Sequence, residues 1–482
     1  MKENGGTAMN KKNQSGFPVY PRTAETNGEN VYRGPVGGSG VNIGEGPIGA
    51  SGANIGECPG TRDALPPHGG DVYGALAGGQ PEPLDFSANI SPLGLPEGVR
   101  RSLAERADEF TRYPDPHCRM LRAALSEKHG ILPGHIVCGA GSADLIFRAA
   151  RALRPRRALV TAPAFSEYGR AAAEAGAEVS HYPLSYPGFA ITEGMREAVT
   201  GTDLAFLCNP NNPTGVLTPR ETIRGILLAC EKAGAVLIVD ECFMDLVDDP
   251  GAFTAEPLLT GHDNLIILKA YTKTYAMAGL RLGYALCGSA SVAGRIAETG
   301  PPWSVSAPAQ IAGVSALKET AYLGELRAIV QKERGRLKAG LAAIGTEVLG
   351  GSANYVFFRI EGQPGSGANA QPGEGAKSLS SGANAQPGSG ANAQPGDGAK
   401  SLGSGANAQP GEGAKDAEGS LPAPIAGRGI GFAAAMAGRG ILIRDCSNFK
   451  GLEDGTYFRA AVRLPEENDI FLRAAQSALK DT

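Results

Sequence analysis

The sequence predicts an α/β protein with a mainly parallel central sheet and a smaller α+β domain. Two observations predict this fold class. Over residues 64–361, short apolar runs alternate with amphipathic stretches, which is typical of strands that are joined by helices in a parallel sheet. Over residues 422–482 the order changes to helix, strand, strand, helix, as expected for a small α+β domain.

Each predicted element has its own local signature. The predicted strands are short apolar runs, at residues 158–162, 204–208, 235–239, 264–268 and 282–287. The predicted helices have apolar residues at helical spacing, at residues 143–153, 219–232 and 307–317. Strands and helices of this length are what a layered α/β domain requires.

Two glycine-rich segments divide the chain of 482 residues into predicted domains. Residues 1–62 repeat a GASGANIGE-like pattern, and residues 362–421 repeat SGANAQPG. Such segments have little apolar surface to bury, so we expect a flexible N-terminal extension and a flexible insertion. The rest is predicted to form a large domain at 63–300 and a small domain made of 301–361 and 422–482.

Composition argues against several classes of protein. A net charge of −4 disfavours nucleic acid as a partner, since phosphate backbones select basic surfaces. No apolar run reaches the roughly 18 residues that span a bilayer, and the N-terminus lacks an apolar signal core, so we expect a cytoplasmic protein. The eight cysteines and six histidines show no metal-ligand spacing, which predicts neither a metal site nor a disulfide framework.

A glycine turn follows the strand-like residues 136–138. There Gly141, Ser142 and Ala143 open a predicted helix. Glycine lets the backbone approach an anion, and the free N–H groups and dipole of a helix N-terminus attract phosphate. The same pattern also fits a strand-to-helix turn that needs glycine only for its geometry.

Polar residues end two further predicted strands. Asn212 lies in the sequence NPNNPTG directly after residues 204–208, and Asp240 follows residues 235–239. The carboxyl edge of a parallel sheet is where α/β proteins bind ligands. A partly desolvated carboxylate there needs a cation or a donor, and a protonated pyridine nitrogen would supply one. The alternatives are a turn residue for Asn212 and a helix N-cap for Asp240.

Lys273 and Arg281 lie in the sequence YTKTYAMAGLRLGY, which follows the predicted strand 264–268. A lysine near a second cation in a partly apolar pocket has a lowered pKa and can act as a nucleophile. The guanidinium of Arg281 offers a fork that suits phosphate. Singly, each residue fits an ordinary surface charge. Together with Asn212 and Asp240, in this order on successive elements, they indicate a site.

This order resembles the aspartate aminotransferase fold family, the fold type I pyridoxal 5′-phosphate (PLP) dependent transferases, over residues 64–361 and 422–482. The resemblance implies that Lys273 carries PLP as a Schiff base and moves protons, that Asp240 pairs with the pyridine nitrogen and that Asn212 bonds the ring 3′-oxygen. It also implies that Phe165 stacks on the ring. The residues that it implies for holding the phosphate are Gly141, Ser142, Ala143, Thr272 and Arg281.

Two further residues are implied by the same resemblance. Tyr113 is expected to reach the cofactor phosphate of another subunit, which implies a homodimer. Arg459 is expected to bind the substrate carboxylate.

Two subgroups of the family remain open: the histidinol-phosphate aminotransferases and the threonine-phosphate decarboxylases of cobalamin biosynthesis. Residues 68–71 (HGGD), 84–94, 240–243 (DECF) and 443–449 resemble the decarboxylases. This resemblance implies that L-threonine O-3-phosphate is converted to (R)-1-aminopropan-2-yl phosphate and CO₂. The phosphorylated amino acid is then expected to contact His68, Gly69, Asn89, Asn212, Arg444 and Arg459. For Arg444, a salt bridge is the alternative.

The chain departs from the family pattern at three places. Ala270 stands where relatives commonly carry Ser or Thr, so one phosphate hydrogen bond should be missing, and Phe243 lacks the hydroxyl of the tyrosine usual in aminotransferases. The glycine-rich insertion is foreign to the family. A third possibility is a cofactor-sensing domain of transcriptional regulators, but that arrangement has a basic winged-helix segment, which the glycine-rich N-terminus does not supply.

Overall fold

The structure is a computed structural model that describes residues 68–77, 81–360 and 428–481. The expectations for residues 1–62 and 362–421 lie outside these ranges. In the described part, the strands are β1 (Leu84–Asp85), β2 (Ile136–Gly139), β3 (Arg157–Ala162), β4 (Glu178–Pro183), β5 (Leu204–Cys208), β6 (Val236–Asp240), β7 (Leu265–Ala270), β8 (Gly283–Cys287), β9 (Glu347–Gly350), β10 (Tyr355–Arg359), β11 (Ile441–Leu442), β12 (Arg444–Asp445) and β13 (Tyr457–Ala461).

The helices are α1 (Val72–Ala77), α2 (Glu97–Glu105), α3 (Arg119–His129), α4 (Ser142–Leu153), α5 (Glu167–Glu174), α6 (Met195–Ala198), α7 (Arg220–Ala233), α8 (Tyr271–Thr274), α9 (Ala290–Glu298), α10 (Ala307–Ala316), α11 (Thr320–Ala343), α12 (Arg428–Ala437) and α13 (Pro465–Asp481). Short 3₁₀ turns lie at Ala107–Thr111, Pro133–His135, Met244–Leu246, Pro250–Ala252 and Glu256–Leu259. Among the described residues, no helix combines the length and the apolar character that crossing a membrane requires.

Seven strands form the central sheet, in the order β2-β8-β7-β6-β5-β3-β4. The strands β4, β3, β5, β6 and β7 are parallel to one another, whereas β8 runs antiparallel to both β2 and β7. Both faces of the central strands are buried, which explains why these strands are continuous apolar runs in the sequence. The predicted α/β class with a mainly parallel sheet is confirmed.

Alternate side chains of one strand enter two different cores. Val239 packs into a core with α2, α3, α7 and α10, whereas Ile238 packs into a core with α4, α5 and α9. Helices therefore cover both faces of the sheet, and the carboxyl ends of β5, β6 and β7 are left open for a site.

A second sheet is four-stranded and antiparallel, in the order β12-β13-β10-β9. Strand β10 precedes residue 361 and pairs with β13, which lies after residue 427, so segments on both sides of the insertion build one sheet. Its core contains Leu337 of α11, Phe432 of α12 and Phe471 of α13. The first of the two strands predicted for residues 422–482 is interrupted. Its first part, β11, pairs with β1, and its second part, β12, joins the second sheet.

Candidate active site

A cavity of about 210 Å³ lies at the carboxyl ends of β5, β6 and β7. The N-terminus of α4, which follows the turn after β2, also lines it. All of the predicted site residues line this cavity except Gly141 and Tyr113. Those that line it are His68, Gly69, Asn89, Ser142, Ala143, Phe165, Asn212, Asp240, Thr272, Lys273, Arg281, Arg444 and Arg459.

Lys273 lies in the single turn of α8, directly after β7. Burial lowers the pKa of its ammonium, and the nearby cations Arg459 and Arg281 lower it further, to about 8. Its Nζ atom stands 5.8 Å from the centre of the Phe243 ring. The uncharged amine, which is the form that attacks a carbonyl carbon, is therefore available at a lower pH than for an ordinary lysine.

A second lysine four residues earlier has the opposite environment. Lys269 Nζ lies 2.9 Å from Glu241 Oε2 and 2.6 Å from Glu256 Oε1. Burial lowers the pKa of Lys269, but the two carboxylates outweigh it and raise the pKa above its ordinary value. Lys269 is therefore a charged structural residue, and Lys273 is the amine that faces the cavity.

Asp240 ends β6, and its carboxylate is almost fully buried at the cavity wall. The backbone N–H of Cys242 donates to Oδ1 over 2.9 Å, and the hydroxyl of Tyr168 donates to Oδ2 over 2.7 Å. Tyr168 was not among the site residues predicted from the sequence. No sequence signal joins it to Asp240, which lies 72 residues away on another element.

Two glycines bring the turn between β2 and α4 close to Arg281. Gly141 has φ +92°, and a Cβ atom on it would lie 2.8 Å from Arg281 Nη2. A Cβ atom on Gly283 would lie 2.7 Å from the backbone nitrogen of Ser142. The N-terminus of α4 and the guanidinium thus meet at one end of the cavity, and both attract phosphate.

Two further arginines line the cavity. Arg459 of β13 and Arg444 of β12 are direct partners in the antiparallel register. Arg459 donates to the Ser87 carbonyl over 2.7 Å and to Asn212 Oδ1, and burial lowers its pKa to about 10. Arg444 donates to Asn448 Oδ1 over 2.7 Å, and burial lowers its pKa also.

Asn89 is a buried amide with unsatisfied hydrogen-bonding groups. It is 1% exposed, and neither its Oδ1 nor its Nδ2 atom has a hydrogen-bond partner among the described residues. Leaving such groups without partners costs free energy, so native proteins rarely do it without a ligand or water. Since Asn89 lines the cavity, this observation indicates a polar ligand there.

His68 enters the cavity wall from the chain's N-terminal side. Its Nε2 atom lies 3.1 Å from Glu167 Oε1, and its ring centre lies 5.5 Å from that of Phe165. A Cβ atom on Gly69 would clash with the Ser87 carbonyl oxygen, so only glycine allows this close approach. Glu167, which holds His68, was not predicted.

Tyr113 lies outside this cavity. It is 81% exposed and stacks on Trp303 with ring centres 4.7 Å apart. The role predicted for Tyr113 concerns the cavity of another subunit, so it stays a prediction. Ala270 and Phe243 do line the cavity, and neither side chain offers a hydroxyl there.

Comparison with known proteins identifies the family. The sequence profile of the family described as aminotransferase class I and II matches residues 81–366. The chain belongs to this family. It is therefore a PLP-dependent enzyme, as predicted. The residues of the cavity fit this cofactor, because they combine an amine with a lowered pKa (Lys273), a buried carboxylate (Asp240) and a helix N-terminus beside the guanidinium of Arg281. The unsatisfied amide of Asn89 lines the same cavity.

Relatives within the aminotransferase class I and II family include both subgroups that the sequence left open. The chain is 37% identical to the threonine-phosphate decarboxylase of Salmonella typhimurium over 61% of this chain and 82% of that protein. It is 32% identical to histidinol-phosphate aminotransferase 1 of Cupriavidus pinatubonensis, over 59% of this chain and 76% of that protein. The crystal structure of the histidinol-phosphate aminotransferase from Clostridium acetobutylicum matches 83% of this chain and 100% of its own, with 26% identity and a TM-score of 0.65.

Proposed function

We propose that this enzyme decarboxylates L-threonine O-3-phosphate to (R)-1-aminopropan-2-yl phosphate and CO₂ for cobalamin biosynthesis. The proposal depends above all on the arginine pair Arg444 and Arg459, which face each other across β12 and β13 and line one cavity. Like charges at directly opposite positions of two strands destabilise a sheet. An anionic substrate offsets that repulsion, and threonine phosphate carries both a carboxylate and a phosphate. Histidinol phosphate carries only the phosphate.

The cofactor is assigned to the part of the cavity that the α4 N-terminus and Arg281 line. We propose that Lys273 would bind the cofactor carbonyl and that Asp240 would pair with the ring nitrogen. The phosphate would be held by the α4 N-terminus at Ser142 and Ala143, beside Gly141, and by Thr272 and Arg281. Phe165 would cover a face of the ring, and Asn212 would contact its 3′-oxygen. When bound, PLP supplies an electron sink for the bond that breaks at the substrate Cα.

The chain's own residues select that bond. Only a Cα bond that stands perpendicular to the ring plane overlaps with the sink, so the position of the substrate's two anionic groups decides between losing CO₂ and losing a proton. We propose that Arg459, Arg444, Asn89 and His68 hold the substrate with its carboxylate in this position. Loss of CO₂ leaves Cα in need of a proton, and Lys273 would donate it as the ammonium, which a pKa of about 8 makes a stronger acid than an ordinary lysine.

Two further observations support the decarboxylase over an aminotransferase. Identity is higher to the Salmonella decarboxylase than to the Cupriavidus aminotransferase. Phe243, which lines the cavity, cannot provide the hydroxyl that aminotransferases usually place at this position. A homodimer, which rests on the family resemblance, and a cytoplasmic location, which rests on the sequence composition, are part of the same proposal.

Competing reactions of the purified, PLP-loaded chain test the proposal. We expect CO₂ release and the amine phosphate product from threonine phosphate, with no need for 2-oxoglutarate. Turnover of histidinol phosphate with 2-oxoglutarate, without CO₂ release from threonine phosphate, would show that the enzyme is an aminotransferase. An Arg444→Gln variant separates substrate from cofactor: kcat/KM for threonine phosphate should fall about tenfold or more, as for loss of a charged hydrogen bond, while the Kd for PLP stays unchanged.

A further inference from the structure

The Asp240 carboxylate has a fixed set of donors. Its Oδ1 atom accepts from the backbone of Cys242, which follows β6, and its Oδ2 atom accepts from the side chain of Tyr168 in α5. The backbone donor is present whatever the side chain at 242. The Cys242 thiol also interacts with Asp240, but a thiol is a weak donor, so Tyr168 is the strong side-chain donor on which the orientation of this carboxylate depends.

Aromatic contacts hold the Tyr168 ring in place. It stacks on Phe206 of β5 with ring centres 5.1 Å apart and an angle of 13° between the rings. The ring of Phe165 meets it edge-on at 5.6 Å. Tyr168 is only 1% exposed, so its hydroxyl is shielded from solvent and donates to Asp240 instead. A hydroxyl fixed on two sides in this way cannot follow Asp240 if the carboxylate turns.

We propose that Tyr168 is a positioning residue, which fixes the Asp240 carboxylate toward the ring nitrogen of PLP. The inference rests on the proposed pairing of Asp240 with that nitrogen, but it holds whether the enzyme decarboxylates or transaminates. No contact with the reacting atoms is assigned to Tyr168. It acts by keeping a buried carboxylate aimed, because a hydrogen bond that is donated to a charged oxygen is strong and directional.

The same geometry links the substrate end to the cofactor end. Phe165 contacts Tyr168 on one side and His68 on the other, at 5.6 Å and 5.5 Å between ring centres. A change in Tyr168 that leaves the ring in place should therefore leave His68 unmoved. Removing only the hydroxyl, as in Tyr168→Phe, isolates the hydrogen bond from this packing.

PLP binding to the apoenzyme measures the effect without reference to catalysis. We expect Tyr168→Phe to raise the Kd for PLP about tenfold or more, the cost of losing a hydrogen bond to a charged group. The ¹⁵N NMR signal of the cofactor's ring nitrogen should shift toward that of an unprotonated pyridine. Tyr271→Phe is the matched control, because the Tyr271 hydroxyl is buried and has no hydrogen-bond partner in the described ranges. Its Kd and ¹⁵N signal should equal those of the wild type.

A double-mutant cycle with Asp240→Asn separates the role of Tyr168 from the pairing of Asp240 with the ring nitrogen. If Tyr168 acts through Asp240, the two changes together raise the Kd no more than Asp240→Asn alone. Additive effects, or a wild-type Kd for Tyr168→Phe beside a raised Kd for Asp240→Asn, overturn the role of Tyr168. A wild-type Kd for Asp240→Asn overturns the pairing with the ring nitrogen itself.

Folding of the variants is checked by thermal unfolding of the apo forms. Should Tyr168→Phe not fold, 4-aminophenylalanine at position 168 keeps the ring and replaces the hydroxyl by an amine donor at the same place. This variant is expected to bind PLP with a Kd near that of the wild type. A Kd raised as far as that of Asp240→Asn in this folded variant would contradict the proposal, since the donor is present.

Discussion

At the scale of single residues, the site depends on two lysines that lie four positions apart and behave oppositely. Lys269 forms ion pairs with Glu241 and Glu256, whereas Lys273 is buried near the cations Arg459 and Arg281. A buried ammonium without an anion is costly, so the pKa of Lys273 falls. The same cost that destabilises the apoenzyme prepares Lys273 to react.

Replacing Lys273 should therefore stabilise the apoenzyme in a pH-dependent way. The folded state loses the Lys273 proton near pH 8, because its pKa is lowered from 10.5 to about 8, whereas the unfolded chain keeps the proton until about 10.5. Between these values the unfolded state binds more protons, so wild-type stability gains with rising pH relative to Lys273→Met. We expect Lys273→Met to be the more stable apoprotein at pH 7, with an advantage that shrinks from pH 8 upward. Urea unfolding at pH 7, 8, 9 and 10 measures it; a constant difference would contradict the lowered pKa.

Replacing Lys269 should have the opposite effect. Lys269→Met leaves Glu241, whose side chain is fully buried, without its lysine partner, whereas Glu256 keeps the His129 ring 2.7 Å from its carboxylate. Removing one partner of a buried ion pair typically costs about 3–5 kcal/mol, so we expect a loss of that order in the free energy of unfolding at pH 7. A loss below about 1 kcal/mol, the range of exposed ion pairs, would show that the network is solvated instead.

At the scale of elements, the turn between β2 and α4 forms the anion-binding end of the cavity. Gly141 combines a positive φ with close contact to Arg281, so a side chain there strains the backbone and displaces the guanidinium. Gly234, which ends α7, has a positive φ of 70° but no atom within 4 Å of an added Cβ. An alanine would therefore strain the backbone at both positions, but only at Gly141 would its Cβ atom contact Arg281.

Alanine at these two positions separates the contact from the strain. Gly141→Ala should raise the Kd for PLP about tenfold or more, as expected when a charged hydrogen bond to the phosphate is lost. Gly234→Ala should cost about 1 kcal/mol of stability and leave the Kd unchanged. Fluorescence titration of each apoenzyme with PLP measures both affinities. Equal affinities in the two variants would show that Arg281 and the α4 N-terminus do not hold the phosphate.

The spacing of apolar residues predicted the strands and helices well, because this spacing is a property of each element by itself. Strand β5 has the predicted bounds, and β6 differs from its prediction by one residue at each end. What the pattern could not predict depends on how elements pair. The antiparallel direction of β8, the opposition of Arg444 to Arg459 and the bond of Tyr168 to Asp240 all join residues that no sequence period relates. The family resemblance placed Asp240 and Lys273 in one cavity, but Tyr168 became visible only in the structure.

At the scale of the whole molecule, the site draws on distant parts of the chain. His68 and Asn89 come from the N-terminal side, Lys273 from the central sheet, and Arg444 and Arg459 from the second sheet. The predicted boundaries of a large and a small domain remain a proposal. The exposed Tyr113, stacked on Trp303, is the residue that we propose completes the cavity of a second subunit.

Mixed dimers test that contribution. Lys273→Ala and Tyr113→Ala subunits should each be poorly active alone, since every site lacks one residue. After mixing and exchange, half of the dimers are hybrids, and each hybrid has one intact site, so we expect about a quarter of wild-type activity to return. No recovery, despite subunit exchange shown by native mass spectrometry, would place Tyr113 outside the partner's site.

The attachment of the cofactor is the most direct test of the whole account. Borohydride reduction of the PLP-loaded enzyme fixes a Schiff base as a stable amine, and fragmentation of the digested protein locates it by mass. We predict the label on Lys273, retained by Lys269→Met and lost in Lys273→Ala. A label on Lys269 or on any other lysine, or none in an enzyme that binds PLP, would contradict the account.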